Sequence, residues 1–301
     1  MVDAETDKYI DAIYETLKNK TYHTSEYDIF ERDDGKKVRE IYKLPYYPDR
    51  IVHWAIMLVI EPLLIKHLTA DTYSAIPDRG MHYGMKRVKQ DLKDKEGCMY
   101  CLKLDIRKYY PSIDHDILKS QYRKLFKDKD LLWLIDEIID SAETGVPIGN
   151  YLSQWSGNLY LSWFDHWMKE VRRVKYYHRY MDDIVVFGPS KAYLRELFRD
   201  MRHYLKDNLK LTIKHNWQIF PTFVRGVDFL GYRFFDGYVL TRKEICKRMK
   251  HKARRIVKKA TITPSDMCSI ASYYGWLVHC DGYRLTQKYI IPVKERYNEN
   301  V

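Results

Sequence analysis

The first twenty residues carry Tyr9, Ile10, Ile13, Tyr14 and Leu17, a spacing that predicts one apolar side of a helix. A polar stretch from Glu31 to Lys37 breaks this pattern and predicts a loop or hairpin. The most apolar run, Ile51 to Leu68, contains His53, Glu61, Pro62, Lys66 and His67. It is therefore a poor membrane span and is expected to form a buried helix. Residues 99–106 predict a strand ending in an acid, Asp105, followed by helical patterns over 116–126 and 131–141. After the turn-prone run Gly145-Val146-Pro147-Ile148-Gly149, an aromatic-rich helix is expected over about 150–171, then a strand pair from Lys175 to Phe187. Asp182 and Asp183 fall at the turn of that pair.

Pro189-Ser190 can start a further helix, whose apolar face of Tyr193, Leu194, Leu197, Met201, Tyr204 and Leu205 should cover a sheet. Two strands are expected at about 217–225 and 228–240, with Phe229-Leu230-Gly231-Tyr232 near their junction. The next helical pattern places Ile245, Cys246, Met249, Ala253, Ile256, Val257 and Ala260 together and leaves cations on its other faces. No internal repeat, low-complexity segment or long Gly/Ser linker interrupts the chain, and the clearest boundary lies near residue 238.

Composition narrows this picture. At 301 residues, 46% apolar and 15% aromatic, the chain can bury a large core and is unlike disordered sequences. Its net charge of +11 is uneven: ten Lys or Arg lie within 241–260 against the single acid Glu244. Such a surface attracts polyanions, with nucleic acid ahead of an anionic membrane, although a solvated helix face gives the same pattern. The N-terminus lacks the basic segment and apolar stretch of a secretory signal, so a cytoplasmic location is expected. Five cysteines, an odd number, suit reduced thiols. Cys98 and Cys101 have C-x-x-C spacing without a second such pair, and Cys101 lies in an apolar strand-like run. Core packing is the better reading than zinc or redox chemistry.

A strand ending in Asp105 and adjacent acids in a tight hairpin could present carboxylates at a common sheet edge. Hard oxygen ligands there suit Mg²⁺, which is usually held by one or two carboxylates plus substrate phosphates. Acid pairs in turns are common, and this pattern alone does not separate a metal site from an ordinary turn.

The neighbouring residues do separate them. Tyr180-Met181-Asp182-Asp183, between apolar strands, resembles the Y-x-D-D motif of reverse transcriptases. Asp105-Ile106-Arg107-Lys108-Tyr109-Tyr110 resembles their first metal-binding motif, with an aromatic where a sugar-discriminating gate belongs. Gly149 to Ser153 resembles their G-x-x-x-S core, Phe229-Leu230-Gly231 the primer-grip hairpin, and Ser74 to Gly80 the fingertip motif. These motifs keep family order over about residues 39–240. Within the family, Ile148-Gly149-Asn150-Tyr151-Leu152-Ser153-Gln154 is similar to the [I/V/L]-G-x-x-x-S-Q sequence of diversity-generating retroelement enzymes, where most relatives have Q-G-x-x-x-S-P. Asn216 to Pro221 and Tyr274-Gly275-Trp276-Leu277 also resemble that group.

The resemblance implies an α+β right-hand polymerase fold, with an N-terminal segment and fingers over 1–97, a palm over 98–237 with part of the fingers inserted around 116–145, and a helical thumb over 238–301. It implies two Mg²⁺ ions held by Asp105, Asp182, Asp183 and the Ile106 backbone carbonyl. Arg79, Lys86, Tyr110, Ile148, Gly149, Gln154 and Lys214 would contact the nucleotide, and Phe229, Leu230 and Gly231 the primer. Arg248, Lys252 and Arg255 would track the nucleic-acid backbone. Two departures matter: Ile76 stands where the fingertip motif commonly has an additional Arg, and Lys214 is out of clean register with the family lysine. Tyr110 could instead be a core tyrosine.

The activity implied is copying of template RNA into cDNA with frequent errors opposite adenine, in a bacterial, archaeal or phage setting. Its partners would be template RNA, the RNA/cDNA duplex, dNTPs and a small basic accessory protein. Competing readings are a group II intron-like or defence-associated reverse transcriptase of ordinary fidelity, and a non-catalytic RNA-binding scaffold.

Overall fold

The computed structural model describes residues 6–33 and 38–298. In chain order the elements are α1 (Thr6–Lys18), β1 (Asp28–Asp33), β2 (Val38–Lys43), α2 (Ile51–His67), α3 (Met81–Asp91), β3 (Tyr100–Asp105), α4 (His115–Leu125), α5 (Lys129–Asp140) and α6 (Tyr151–His166). They continue with β4 (Tyr177–Tyr180), β5 (Asp183–Gly188), α7 (Lys191–Leu209), β6 (Gln218–Pro221), a single helical turn α8 (Thr222–Arg225), and strands β7 (Val227–Phe229), β8 (Tyr232–Phe234) and β9 (Val239–Thr241). The chain ends in α9 (Lys243–Val257), α10 (Pro264–Leu277), α11 (Tyr283–Leu285) and α12 (Ile291–Asn298).

The strands form a β1–β2 hairpin, a four-stranded sheet in the order β4-β5-β3-β6, and a three-stranded meander β7-β8-β9. Two compact units result. One draws on residues up to 79, 104–184 and 196–217; the other on 80–103, 185–195 and from 218 onward.

In the first unit, helix starts follow local chemistry. The Asp114 carboxylate accepts from the Ile117 N–H at the head of α4, and Asp128 accepts from Asp130 and Leu131 at the head of α5. Each satisfies amides that have no partner within the helix. Helix α6 is buried on nearly all sides, with Trp155, Leu159, Tyr160, Leu161 and Phe164 at 1% exposure or less. It forms the centre of this unit's core beside Ile56, Met57, Ile60 and Leu64 of α2. In the second unit, Met249, Ala253 and Ile256 of α9 join Ile262, Ile270, Leu277, Ile290 and Val293 in a separate cluster. Cys98 and Cys101 are fully buried, in keeping with core packing.

Four sequence expectations need correction. The Ile51–Leu68 run is helical, but Trp54 (55%), Leu58 (65%), Val59 (65%) and Leu63 (49%) are exposed. A segment apolar on every face carries no periodic signal for which side is covered. The strand expected over 217–225 stops at Pro221 and turns into α8, which closes with the Gly226 N–H donating to the Thr222 carbonyl. The run 228–240 is three short strands rather than one, because left-handed backbone at Leu230, Gly231 and Gly237 forces reversals. On α7, Leu194, Leu197, Met201 and Leu205 are buried, whereas Tyr193 is 37% exposed. The expected Glu31–Lys37 hairpin is present as β1–β2, and residues 34–37 lie outside the described residues.

Candidate active site

Asp105 closes β3. The next residue, Ile106, forms an antiparallel bridge with Ile213; the Lys214 N–H donates to the Asp105 carbonyl (2.8 Å) and the Arg107 N–H to the Thr212 carbonyl (2.8 Å). This pairing delivers the Lys214 ammonium directly onto the Asp105 carboxylate. The sequence left Lys214 undecided because the contact depends on two segments more than a hundred residues apart.

Asp182 lies in the β4–β5 turn, where Met181 takes left-handed backbone (φ 52°). The Ile106 N–H donates to the Asp182 carbonyl (3.2 Å), joining the two acid-bearing segments. Asp182 is pushed up to about 6, first by burial and then by the charge of Asp105, with which it is in hydrogen-bonding reach; Lys214 opposes the rise. Asp183 begins β5 and is half-buried. Among the described residues no three acidic, histidine or cysteine side chains converge as a metal-holding group. Two facing carboxylates, one carrying an unfavourable buried charge, fit Mg²⁺, because a hard cation relieves their repulsion and its remaining positions go to water or phosphate.

Tyr110 stands beside this turn. Its hydroxyl points to Met181 Sδ (3.6 Å), and its ring lies against Gly157 of α6, where an added Cβ would come within 3.3 Å. Burial, then the Asp182 charge, pushes its hydroxyl up to about 12, so it is neutral at physiological pH. Ile148 is half-buried, and its carbonyl accepts from the Tyr42 N–H (2.9 Å). Gly149 has φ +129°, and a Cβ there would lie 2.6 Å from the Tyr42 carbonyl oxygen; the close approach of β2 requires glycine. Gly149 and Gln154 line a cavity of about 720 Å³ with Tyr42, Trp54 and Tyr151.

Arg79 is employed elsewhere in the same unit. Its guanidinium donates to the carbonyls of Ile65 (2.9 Å), Thr69 (3.2 Å) and Leu68 (3.4 Å), satisfying carbonyls at the end of α2. Sequence reading gave no sign of this capping role. Lys86 is exposed on α3 in the second unit; that unit also holds the cations of α9 and the β7–β8 reversal, where Phe229 and Leu230 are buried and Gly231 is half-buried. Leu230 and Gly231 both have positive φ, the geometry of a tight hairpin turn. A Cβ on Gly231 would meet Trp276 at 2.4 Å. Arg248 and Arg255 are exposed and Lys252 is half-buried, along one side of the packed face of Ile245, Met249, Ala253 and Ile256.

Beneath the acid turn lies a buried polar network that sequence reading missed. Arg179 of β4 and Asp165 of α6 are both fully buried and paired through Arg179 Nη2 (2.5 Å) and Nε (2.8 Å). Asp165 also accepts from the Tyr177 hydroxyl (2.6 Å) and Thr72 Oγ1 (3.1 Å). Arg179 donates further to the carbonyls of Asn158 (3.2 Å) and Met181 (3.1 Å). The available signal was an acid in an apolar helix and a base in an apolar strand, which can be buried cheaply only as a hydrogen-bonded pair.

Paired acids at the end of β3 and in the β4–β5 turn, with a lysine and an aromatic beside them, form the candidate site. Residues 31–234 match the reverse transcriptase (RNA-dependent DNA polymerase) family model, and the chain belongs to that family. Protein YkfC of Escherichia coli K12 is 24% identical over an alignment covering 63% of this chain and 61% of that protein. A mitochondrial nuclear intron maturase 1 of Arabidopsis thaliana is 23% identical, covering 36% of this chain and 15% of its own length.

Apo telomerase from Candida tropicalis superposes with a TM-score of 0.57 at 11% identity, covering 84% of this chain and 53% of the telomerase. Candida albicans telomerase, in complex with a fragment of telomeric RNA, gives 0.54 at 10% identity, covering 92% and 58%. These likenesses establish the polymerase fold. The chain spans less than two thirds of the length of each of these relatives. No helix among the described residues is long and apolar enough to cross a membrane.

Proposed function

We propose that this chain is the reverse transcriptase of a diversity-generating retroelement, copying template RNA into cDNA with errors concentrated opposite adenine. The observation that carries the polymerase reading is the facing pair Asp105 and Asp182, the latter pushed up to about 6 by its burial and then by the charge of Asp105. Asp105, Asp182 and Asp183, with the Ile106 carbonyl, are the groups that would hold two Mg²⁺ ions. Bound there, the ions supply Lewis acidity to the attacking primer hydroxyl and the leaving phosphate oxygens. Lys214, already at Asp105, is a cation available to the triphosphate. Tyr110, neutral and half-buried beside the acid turn, presents bulk against a ribose 2′-hydroxyl.

The retroelement reading rests on Ile148 and Gln154. Where relatives put a hydrogen-bonding Gln, Ile148 offers an apolar side chain, and Gln154 lines a cavity with aromatic walls. The chain would be split into an N-terminal segment and fingers over 1–97, a palm over 98–237 with part of the fingers inserted around 116–145, and a thumb over 238–301. In the thumb, Arg248, Lys252 and Arg255 of α9 contact phosphates without reading sequence. Template RNA, dNTPs and a small basic accessory protein are the proposed partners, and the proposed setting is the cytoplasm.

The test is primer extension on a defined RNA template with Mg²⁺ and dNTPs, with and without the accessory protein, followed by sequencing of the cDNA. The expected result is full-length cDNA with substitutions concentrated opposite template adenine. Uniformly low error would overturn the retroelement reading and support a group II intron-like enzyme, a reading favoured by the maturase similarity. RNA binding without any extension would leave only a scaffold.

A further inference from the structure

We propose that Arg179, held by Asp165, is a positioning residue that fixes the acid turn so that Asp182 faces Asp105. The inference rests on the polymerase reading of that acid pair and assigns the two buried residues a task in it.

Both peptide groups next to Asp182 are pinned. On one side the Met181 carbonyl accepts from Arg179 Nη1 (3.1 Å); on the other the Asp182 carbonyl accepts from the Ile106 N–H (3.2 Å). Met181 between them sits at φ 52°, a left-handed conformation that a β-carbon makes unfavourable. Without a donor at its carbonyl, the Met181–Asp182 peptide can rotate toward ordinary backbone and turn the Asp182 side chain away from Asp105. Strained backbone at a site persists only where surroundings over-determine it.

The surroundings do so here. Nε and Nη2 of Arg179 are taken by Asp165, which orients the planar guanidinium and leaves Nη1 directed at the turn. Asp165 is itself fixed by Tyr177 and Thr72, and the Arg179 backbone is pinned by its N–H to the Asp71 carbonyl (2.9 Å) and by the Tyr73 N–H to its carbonyl (3.1 Å). The turn is thereby referenced to α6 and to segment 71–73 rather than to its own hairpin alone.

Stability gives a weak reason for this pair. Replacing a buried ion pair by apolar groups of similar volume is often neutral or stabilising. Of the hydrogen bonds that an apolar pair cannot reproduce, the one that reaches the acid turn runs from Nη1 to the Met181 carbonyl.

Two variants test the proposal: the double substitution Arg179→Met with Asp165→Leu, and Arg179→Lys alone. Lysine keeps the charge beside Asp165 but lacks the second donor arm that reaches Met181. Folding is followed by circular dichroism, Mn²⁺ affinity by the electron paramagnetic resonance signal of free Mn²⁺, and single-turnover extension by quench flow with its dNTP dependence. The folded double variant should bind Mn²⁺ about tenfold more weakly and extend primers at least about thirtyfold more slowly, changes equivalent to roughly 1.4 and 2 kcal/mol, with dNTP and template affinities within threefold.

Arg179→Lys should fall between wild type and the double variant. A merely structural role would lower thermal stability without moving Mn²⁺ affinity in the folded fraction. Wild-type Mn²⁺ affinity and extension rate in the double variant overturn the proposal. Should that variant fail to fold, the same result in Arg179→Lys overturns it. Wild-type protein that neither binds Mn²⁺ nor extends primers refutes the polymerase reading instead, and the inference falls with it.

Discussion

Asp182→Asn should make the protein more stable while removing its activity. Asp182 is raised from 3.8 to about 6 by burial and by Asp105. A carboxyl whose folded pKa lies above its unfolded value binds its proton more tightly in the folded state. Stability therefore falls as pH rises from about 4 to about 6, and the whole deficit is present at pH 8. That rise corresponds to at most about 3 kcal/mol, because the side chain is only partly shielded from water. Asparagine keeps the shape, removes the charge and can donate to Asp105.

In EDTA at pH 8 the variant should melt above wild type by up to about 6 °C, taking about 2 °C per kcal/mol for a chain of this size. The difference should shrink to nothing near pH 4, and Mg²⁺ should raise the wild-type melting temperature more than that of the variant, by ligand linkage. Differential scanning calorimetry across pH, with primer extension on the same preparations, checks each part. Equal melting temperatures at pH 8, or a gain that persists undiminished at pH 4, would refute the account of Asp182 as a charge strained by its neighbour. Undiminished extension by the variant would refute its place in the site.

Three further outcomes are expected. Tyr110→Val should raise ribonucleotide incorporation by at least about tenfold, the order of discrimination that a change of pocket shape supplies; unchanged selectivity in competition assays would make the ring a packing element only. Neutralising Arg248, Lys252 and Arg255 together should weaken RNA binding about equally across sequences and flatten the log affinity against log salt slope by about 2, from three lost phosphate contacts. An unmoved slope would mean that α9 faces something else. Ile148→Gln should reduce errors opposite adenine only partly, since one net hydrogen bond is worth about 0.5–1.5 kcal/mol, roughly 2- to 13-fold. Identical adenine error rates at equal cDNA yield would remove Ile148 from the fidelity mechanism.

Local pattern carried the elements that bracket the site. β3 ends at the acid that its apolar run predicts, β4 and β5 place the second acid at their turn, and α9 shows the packed and charged faces that its spacing predicts. These follow from periodicities of two and near 3.6, which a short window contains. The pattern failed where a window lacks the deciding information. The α2 segment is apolar all round, so its exposed stripe of Trp54, Leu58, Val59 and Leu63 could not be told from its buried one. The 217–240 region reverses at the expected Leu230–Gly231 hairpin but also turns into α8 after Pro221 and reverses again at Gly237, so two long strands become four short ones.

Side-chain roles divide along the same line. Asp105, Asp182 and Tyr110 were legible as candidates because the motif that contains each is contiguous. Lys214 and Arg179 were not, for each acquires its role from a partner far along the chain: Lys214 from Asp105 through the Ile106–Ile213 bridge, and Arg179 from Asp165 across α6 and β4. Arg79 shows the converse, since a basic residue within a motif-like run donates to the carbonyls at the end of α2. What the sequence displays is the candidate site's own motifs. What it conceals is the internal hydrogen bonding around them, because a buried ion pair is written as two isolated charges in apolar segments and becomes a unit only when helix and strand are packed. An arginine or aspartate in such a segment is thus a better marker of a support beneath a site than of the site itself.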